Sequence, residues 1–150
     1  MSENELPNPR DILPHREPFL FVEQVTRCDG ETVQAHYTYE ANDFFKGHFP
    51  GQPIVPGVVL LEGLAQTLAY LALRRAGPGK VFLTGIEQCK FRRMVLPGER
   101  VDYSVKVKRT RLKMVIADGE VHCGGALVCK AELRGIIESE VTSKPSSTST

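Results

Sequence analysis

The chain has 150 residues, 41% of them hydrophobic, which predicts one compact domain with its own core. Its 19 Lys and Arg residues nearly balance its 18 Asp and Glu residues, which argues against nucleic acid or an anionic membrane as the main partner. No secretory signal pattern opens the sequence and its longest apolar run, residues 55–65, is too short to span a bilayer, so we expect a cytoplasmic protein.

The N-terminal third predicts an arm followed by a β-hairpin. Residues 1–10 are polar and contain prolines, which indicates a flexible arm. Strand patterns over residues 19–28 and 32–40 flank Asp29-Gly30, a dipeptide typical of tight hairpin turns.

One long helix is predicted over residues 56–75. Pro56 would occupy its first position and Gly77 would lie just beyond its end. Its apolar residues do not keep to one face, and such a helix must be enclosed on most sides. Strands are the available cover, so we expect a helix wrapped by a curved sheet.

Four further strands are predicted after the helix, over residues 80–92, 100–110, 112–123 and 126–137. The last two are joined at Gly124-Gly125 rather than at Asp118-Gly119, because this choice leaves two strands of similar length. Residues 139–150 are almost free of apolar side chains and predict a disordered tail. The result is an α+β domain over residues 11–138.

The cysteines do not indicate a metal site. None of them forms a C-x-x-C pair or a common zinc spacing. We interpret them as free thiols in a reducing compartment: Cys28, Cys89, Cys123 and Cys129.

Glu62 is the unusual residue of the predicted helix. Gln66 follows it by four positions and therefore shares its face. A buried carboxylate either acquires partners or keeps its proton through a raised pKa, and such acids are often functional. The alternative is that Glu62 lies at a solvent-exposed seam and has no role.

His48 lies in a loop stiffened by Gly and Pro that leads into this helix. Such a loop loses little entropy on ordering and can hold an imidazole in place, with Phe49 as its anchor. At the helix start, the N–H groups of Gly57 and Val58 have no intrahelical partner and can stabilise an oxyanion. A base, a carboxylic acid and an oxyanion site suit elimination of water from a β-hydroxy thioester, which needs no metal or organic cofactor.

Three segments resemble the FabZ-type (3R)-hydroxyacyl-acyl-carrier-protein dehydratases: LPHREPFLFVEQV, GHFPGQPIVPGVVLLEGLAQ and GIEQCKFRRMVLPGERV. The resemblance covers residues 12–137 and implies a hot-dog fold and formation of trans-2-enoyl thioesters in fatty acid synthesis. It implies that His48 removes the α-proton and that Glu62, from the other subunit of a dimer, assists departure of the hydroxyl. Gly57 would bind the thioester carbonyl and Gln66 would orient Glu62.

Two details of the resemblance bear on specificity. The related FabA-like branch has aspartate at the position of Glu62, so glutamate favours a dehydratase without obligatory isomerase activity. Family members commonly read LEAMAQ where this chain reads LEGLAQ. Gly63 is therefore a departure that opens space beside Glu62.

The remaining candidates have weaker support. Phe49 and Phe91 are candidate tunnel-lining residues, although Phe91 could equally pack in the core. We interpret His15 as a positioning or packing residue. His36 and His122 are expected to be partly exposed on strands and have no assigned role.

Basic residues cluster on two segments of the chain. The acidic acyl carrier protein is the partner that such a surface would attract, with a solvated strand face as the alternative. The candidate docking residues are Lys90, Arg92 and Arg93, together with Lys106, Lys108, Arg109, Arg111 and Lys113.

Three function classes therefore stay open. Dehydration is favoured, and a hot-dog thioesterase or a non-catalytic acyl-binding module of a specialised lipid or polyketide pathway are the alternatives. A homodimer is expected, either alone or as a trimer of dimers.

Overall fold

A computed structural model describes residues 6–40 and 44–140 of the chain. The first five residues of the expected arm and residues 141–150 of the expected tail lie outside this description. The described elements are α1 (Pro9–Ile12), β1 (Gln24–Asp29), β2 (Thr32–Thr38), a 3-10 helix (Phe44–Gly47), α2 (Gly57–Ala76), β3 (Gly79–Phe91), β4 (Arg100–Arg111), β5 (Met114–Cys123) and β6 (Ala126–Ser139).

The six strands form one antiparallel sheet in the order β1-β2-β4-β5-β6-β3. Helix α2 packs against strands β2 to β6. The expected architecture, one long helix wrapped by an antiparallel sheet in the manner of a hot-dog fold, is confirmed.

Both predicted hairpin turns are present. Asp29 pairs with Thr32 around Gly30, whose φ of +49° suits a residue without a side chain. Gly124 and Gly125 join β5 to β6 with φ values of +59° and +85°, so the preference for this turn is confirmed. The rival glycine, Gly119, lies inside β5.

Apolar and polar residues alternate along β4 because one face of the strand is buried and the other faces solvent. Val101, Tyr103, Val105 and Val107 are buried, whereas the residues between them face outward.

Strand β1 begins at Gln24 rather than at residue 19, the start that the sequence predicted. Residues 19–22 instead cross α2, where the side chain of Gln66 forms hydrogen bonds with their backbone.

Helix α2 is buried almost all round, as predicted. Pro56 is its N-cap rather than its first helical residue, a correction of one position. At the other end Gly77, with a φ of +91°, donates its N–H to the Leu73 carbonyl. The helix is long and apolar enough to cross a membrane. However, 72% of its most apolar 18-residue stretch is buried inside this fold, as in the core helix of a globular domain.

Three boundary and burial expectations change in the structure. Residues 6–12, partly assigned to the arm, pack on the domain, and the Tyr70 hydroxyl donates to the Pro7 carbonyl at 2.6 Å. Ser139, assigned to the tail, ends β6 and donates to the Ala76 carbonyl at 3.0 Å. His36 is buried rather than partly exposed, because β2 lies inside the sheet.

Candidate active site

His48 follows the 3-10 helix and is held by the backbone of its own loop. The ring Nδ1 of His48 lies 3.0 Å from the Ile54 carbonyl oxygen. The backbone N–H of His48 donates to the Phe45 carbonyl at 2.9 Å. A carbonyl can only accept, so Nδ1 carries the proton and Nε2 presents a lone pair. The partly exposed imidazole is thus oriented as a base.

Phe49 does not anchor this loop. Its side chain is 54% exposed and stacks on the His48 ring, with the centroids 4.4 Å apart. The buried Phe45, one turn earlier, anchors the loop instead. The expectation for Phe49 was wrong because its side chain points away from the core of the chain that carries it.

The loop delivers the chain to the start of α2. Pro56 supplies no side-chain hydrogen bond to this helix end, so Gly57 and Val58 present uncapped N–H groups. Phe91 lies against Gly57, and a Cβ at residue 57 would come within 2.7 Å of its ring. Phe91 is half exposed and belongs to this surface, not to the core.

Glu62 lies one and a half turns into α2, and 24% of its side chain is exposed. Gln66 Nε2 donates to Glu62 Oε2 at 2.9 Å. Burial raises the pKa of Glu62, while the hydrogen bond from Gln66 opposes that shift. The carboxyl group is therefore biased toward the protonated form that a general acid needs.

Gln66 is itself fixed by two backbone groups of the segment before β1. Its Oε1 accepts from Phe21 N–H at 2.8 Å, and its Nε2 also donates to the Phe19 carbonyl at 3.0 Å. The buried amide thus has its polar atoms satisfied and is locked in place.

A buried tyrosine pair continues this network and was missed in the sequence. The Tyr103 hydroxyl donates to the Phe21 carbonyl at 2.9 Å and lies 2.8 Å from the Tyr39 hydroxyl. Burial raises the pKa of Tyr103, which stays a neutral donor. The available signal was a tyrosine at an inward position of β4, because a buried phenol requires a hydrogen-bond partner.

His15 lies beside Glu62 in a cleft of about 40 Å³. The distance from its Nε2 to Glu62 Oε2 is 3.7 Å. Burial, assisted by the neighbouring charge of Arg16, lowers the pKa of His15.

The candidate docking residues differ in their partners. Lys90 and Arg92 are exposed, while Arg93 forms an ion pair with Glu99 at 3.1 Å. In the second basic segment, Lys108 is neutralised by Glu132 at 2.7 Å. Lys90 and Arg92 flank Phe91 in the sequence, and no ion pair neutralises them within residues 6–40 and 44–140.

No group of three or more possible metal ligands occurs within residues 6–40 and 44–140. The four cysteines are free thiols. Burial and the adjacent Cys89 raise the pKa of Cys129 to about 12, so this thiol stays protonated.

The candidate residues fall into two groups by the contacts they make, and we call each group a half-site. Glu62, Gln66 and His15 form one, and His48 with Gly57 forms the other; within the described ranges no hydrogen bond or ion pair joins His48 to Glu62. Two complementary half-sites are what a pocket shared between protomers would require.

The chain is similar in sequence to a large family. Residues 13–132 match the FabA-like domain. The 3-hydroxyacyl-[acyl-carrier-protein] dehydratase FabZ of Campylobacter jejuni is 43% identical over 136 residues, spanning 85% of this chain and 93% of that protein. The FabZ of Shewanella woodyi is 40% identical over 128 residues, spanning 81% of this chain and 84% of that protein.

The fold is also shared with a solved dehydratase. The structure of the dehydratase heterocomplex ApeI:P from Xenorhabdus doucetiae matches with a TM-score of 0.79 at 17% identity, covering 91% of this chain and 95% of that one. At this identity the likeness supports the fold alone.

Proposed function

This chain belongs to the FabA-like family and to its FabZ-type dehydratases, and from that premise we propose how its residues dehydrate a (3R)-hydroxyacyl thioester carried by acyl carrier protein. The product is the trans-2-enoyl thioester, formed during fatty acid synthesis. The observation that carries the mechanism is the hydrogen bond from His48 Nδ1 to the Ile54 carbonyl. It leaves His48 Nε2 as the only ring nitrogen able to take a proton.

The elimination needs one base, one acid and one oxyanion donor. His48 Nε2 takes the proton from C2, the C2–H electron pair forms the C2–C3 double bond, and the C3–O bond breaks. Glu62 protonates the departing hydroxide, directly or through one water, so water leaves. Transfer of the proton from His48 back to Glu62 through solvent restores the enzyme.

The start of α2 stabilises the charge that develops on the thioester oxygen. The uncapped N–H groups of Gly57 and Val58 and the positive end of the helix dipole would face this oxygen in the bound substrate. One such donor contributes about 2.7–4 kcal/mol to transition-state stabilisation in enzymes of known mechanism. Phe91 and Phe49, exposed in the single chain, would line the entrance.

A homodimer supplies both half-sites. Strand β3 is a 13-residue edge strand that exposes Phe82, Leu83 and Ile86. Soluble proteins avoid long apolar edges unless another chain covers them. The opposite edge, β1, has six residues and exposes polar side chains, so β3 is the edge that a second copy would cover. A trimer of dimers is compatible with this pairing.

Acyl carrier protein is the proposed partner, and Lys90 and Arg92 are its proposed contacts. Both are exposed beside Phe91, which lies over the candidate oxyanion site. Arg93 would contribute less, because Glu99 already neutralises it. The cytoplasmic location stays a prediction.

Hydration of a trans-2-enoyl thioester, the reverse reaction, tests this proposal through loss of the enoyl absorbance. We expect the wild type to be active and H48A and E62A to lose about 10²–10⁴-fold, the range of general acid–base groups. Equal rates in all three proteins would reject dehydration. Release of free thiol from acyl-CoA would instead favour the thioesterase, and acyl binding without turnover would favour the binding module.

A further inference from the structure

His15 and Glu62 are the two titratable side chains that line the small cleft beside α2. The remaining lining residues are apolar: Ala65, Leu68, Ala69, Val81, Leu83 and Gly135. Only 22% of the His15 side chain and 24% of the Glu62 side chain are exposed. In such apolar surroundings a contact between the two is screened weakly by water.

The protonation state of His15 follows from its two ring nitrogens. Nδ1 is buried without a hydrogen-bond partner among the described residues, and Nε2 lies 3.7 Å from Glu62 Oε2. A proton on Nδ1 would leave a buried donor unpaired and would point a lone pair of Nε2 at the carboxylate, and both are unfavourable. Burial also lowers the pKa of His15, so the ring is neutral with its proton on Nε2.

Two donors then face the same oxygen of Glu62. Gln66 Nε2 donates to Oε2 at 2.9 Å, and His15 Nε2 lies 3.7 Å from the same oxygen. A distance of 3.7 Å is longer than a hydrogen bond, but contacts in sites without substrate are often loose and tighten when substrate binds. No described hydrogen bond reaches Glu62 Oε1.

We propose that His15 is a positioning residue for Glu62: with Gln66 it holds Oε2 as an acceptor, so that Oε1 carries the transferable proton toward the substrate. This rests on the proposed function, since it assigns one proton to one oxygen of the proposed acid. It separates the two histidines by role. His48 acts on the substrate, and His15 acts through Glu62.

Four variants test the inference in the hydration assay: H15L, H15Q, E62Q and H15L/E62Q. In H15Q the new amide nitrogen can reach the position of His15 Nε2, whereas leucine removes the donor. We expect H15L to lower kcat about tenfold and H15Q to restore most of it. In the E62Q background H15L should have no further effect, because residues that act through one another are not additive.

The pH profile supplies a readout that packing alone would not move. Loss of a donor destabilises the ionised form of Glu62 and raises the pKa of Glu62. The limb of the kcat/KM profile that belongs to Glu62 should therefore move to higher pH in H15L and return in H15Q, while the other limb stays in place.

His122 offers a matched control, since its Nε2 also lies 3.7 Å from a glutamate oxygen, that of Glu120. Both residues lie on the less buried face of β5. H122L should leave both kcat and the pH profile unchanged. Should H15L not fold, H15N replaces it, because its shorter amide does not reach Oε2. An additive loss in the E62Q background, or an unmoved profile, overturns the role of His15; an inactive wild type overturns the proposed function instead.

Discussion

The phenol of Tyr103 occupies the space beside the backbone of Gly63 that any larger residue would need. A Cβ at residue 63 would overlap both the ring and the hydroxyl of Tyr103. Gly63 thus has a partner on β4. The pair lets the Tyr103 hydroxyl reach the Phe21 carbonyl, whose own N–H holds Gln66.

Gly63→Ala should destabilise the protein despite the better helix propensity of alanine. Overpacking of a core costs about 1–3 kcal/mol, while alanine gains only about 0.5–1 kcal/mol over glycine in a helix. Denaturant unfolding measures the difference. In a Tyr103→Val background the same substitution should cost less, and an equal cost in both backgrounds would contradict the pairing.

Gln66→Leu should lower the free energy of unfolding by about 2–4 kcal/mol. It removes the hydrogen bonds of the Gln66 side chain to the buried Phe21 N–H and the part-buried Phe19 carbonyl, and a buried group that loses its bond costs about 1–3 kcal/mol. Gln34→Leu on β2 is the control, because the Gln34 side chain makes no described hydrogen bond. The prediction fails if both variants unfold at the same denaturant concentration.

The stability difference between E62Q and the wild type should grow with pH. The pKa of Glu62 is raised in the folded protein above its unfolded value of about 4.3. Between these two pKa values the folded state binds more protons than the unfolded state, so stability falls as pH rises. E62Q cannot ionise and escapes this loss. Unfolding titrations should show a rising difference that levels off above the folded pKa; a flat difference would contradict the raised pKa.

Phe82→Lys should dissociate the proposed dimer and abolish hydration together. A lysine on the β3 edge places charge where a second copy would cover Phe82, which is half exposed in the single chain. Light scattering gives the mass and the enoyl assay gives the rate. Leu112→Lys is the control, since Leu112 is 94% exposed at the β4–β5 turn and two strands separate β4 from β3 in the sheet. A monomer with full activity would exclude a shared pocket.

Arg92→Glu should raise KM for substrate on acyl carrier protein about tenfold and leave KM for a short pantetheine thioester unchanged. Reversing an exposed charge weakens attraction to an acidic partner without touching the reacting groups. The effect should shrink with added salt. Arg27→Glu, on the opposite edge strand, should change neither value. Equal KM increases for both substrates would place Arg92 in the substrate pocket instead.

Local features of the fold could be predicted because they depend on neighbouring residues. The alternation along β4, the glycines of both hairpin turns and the extent of α2 all follow from backbone sterics and from which face is buried. The pairing of Glu62 with Gln66 was predictable for the same reason, since residues four apart share a helix face.

Errors arose where distant segments meet. Residues 19–22 were predicted to form a strand. Instead, the backbone N–H of Phe21 forms a hydrogen bond with the side chain of Gln66, 45 positions further along the chain. His36 was predicted to be partly exposed, but the strands on either side of β2 bury it, and the sequence does not show which strands these are. Phe49 read as an anchor because an apolar residue in a loop is usually covered by its own chain.

The sequence by itself determined the elements, their order and the residue types of an acid, a base and a helix start. Only the tertiary structure decided what surrounds the acid, bringing His15, Phe21 and Tyr103 around α2 from three separate segments. The physical reason is that the burial that raises the pKa of Glu62, and the backbone groups that hold Gln66 in place, come from long-range packing that no local periodicity records.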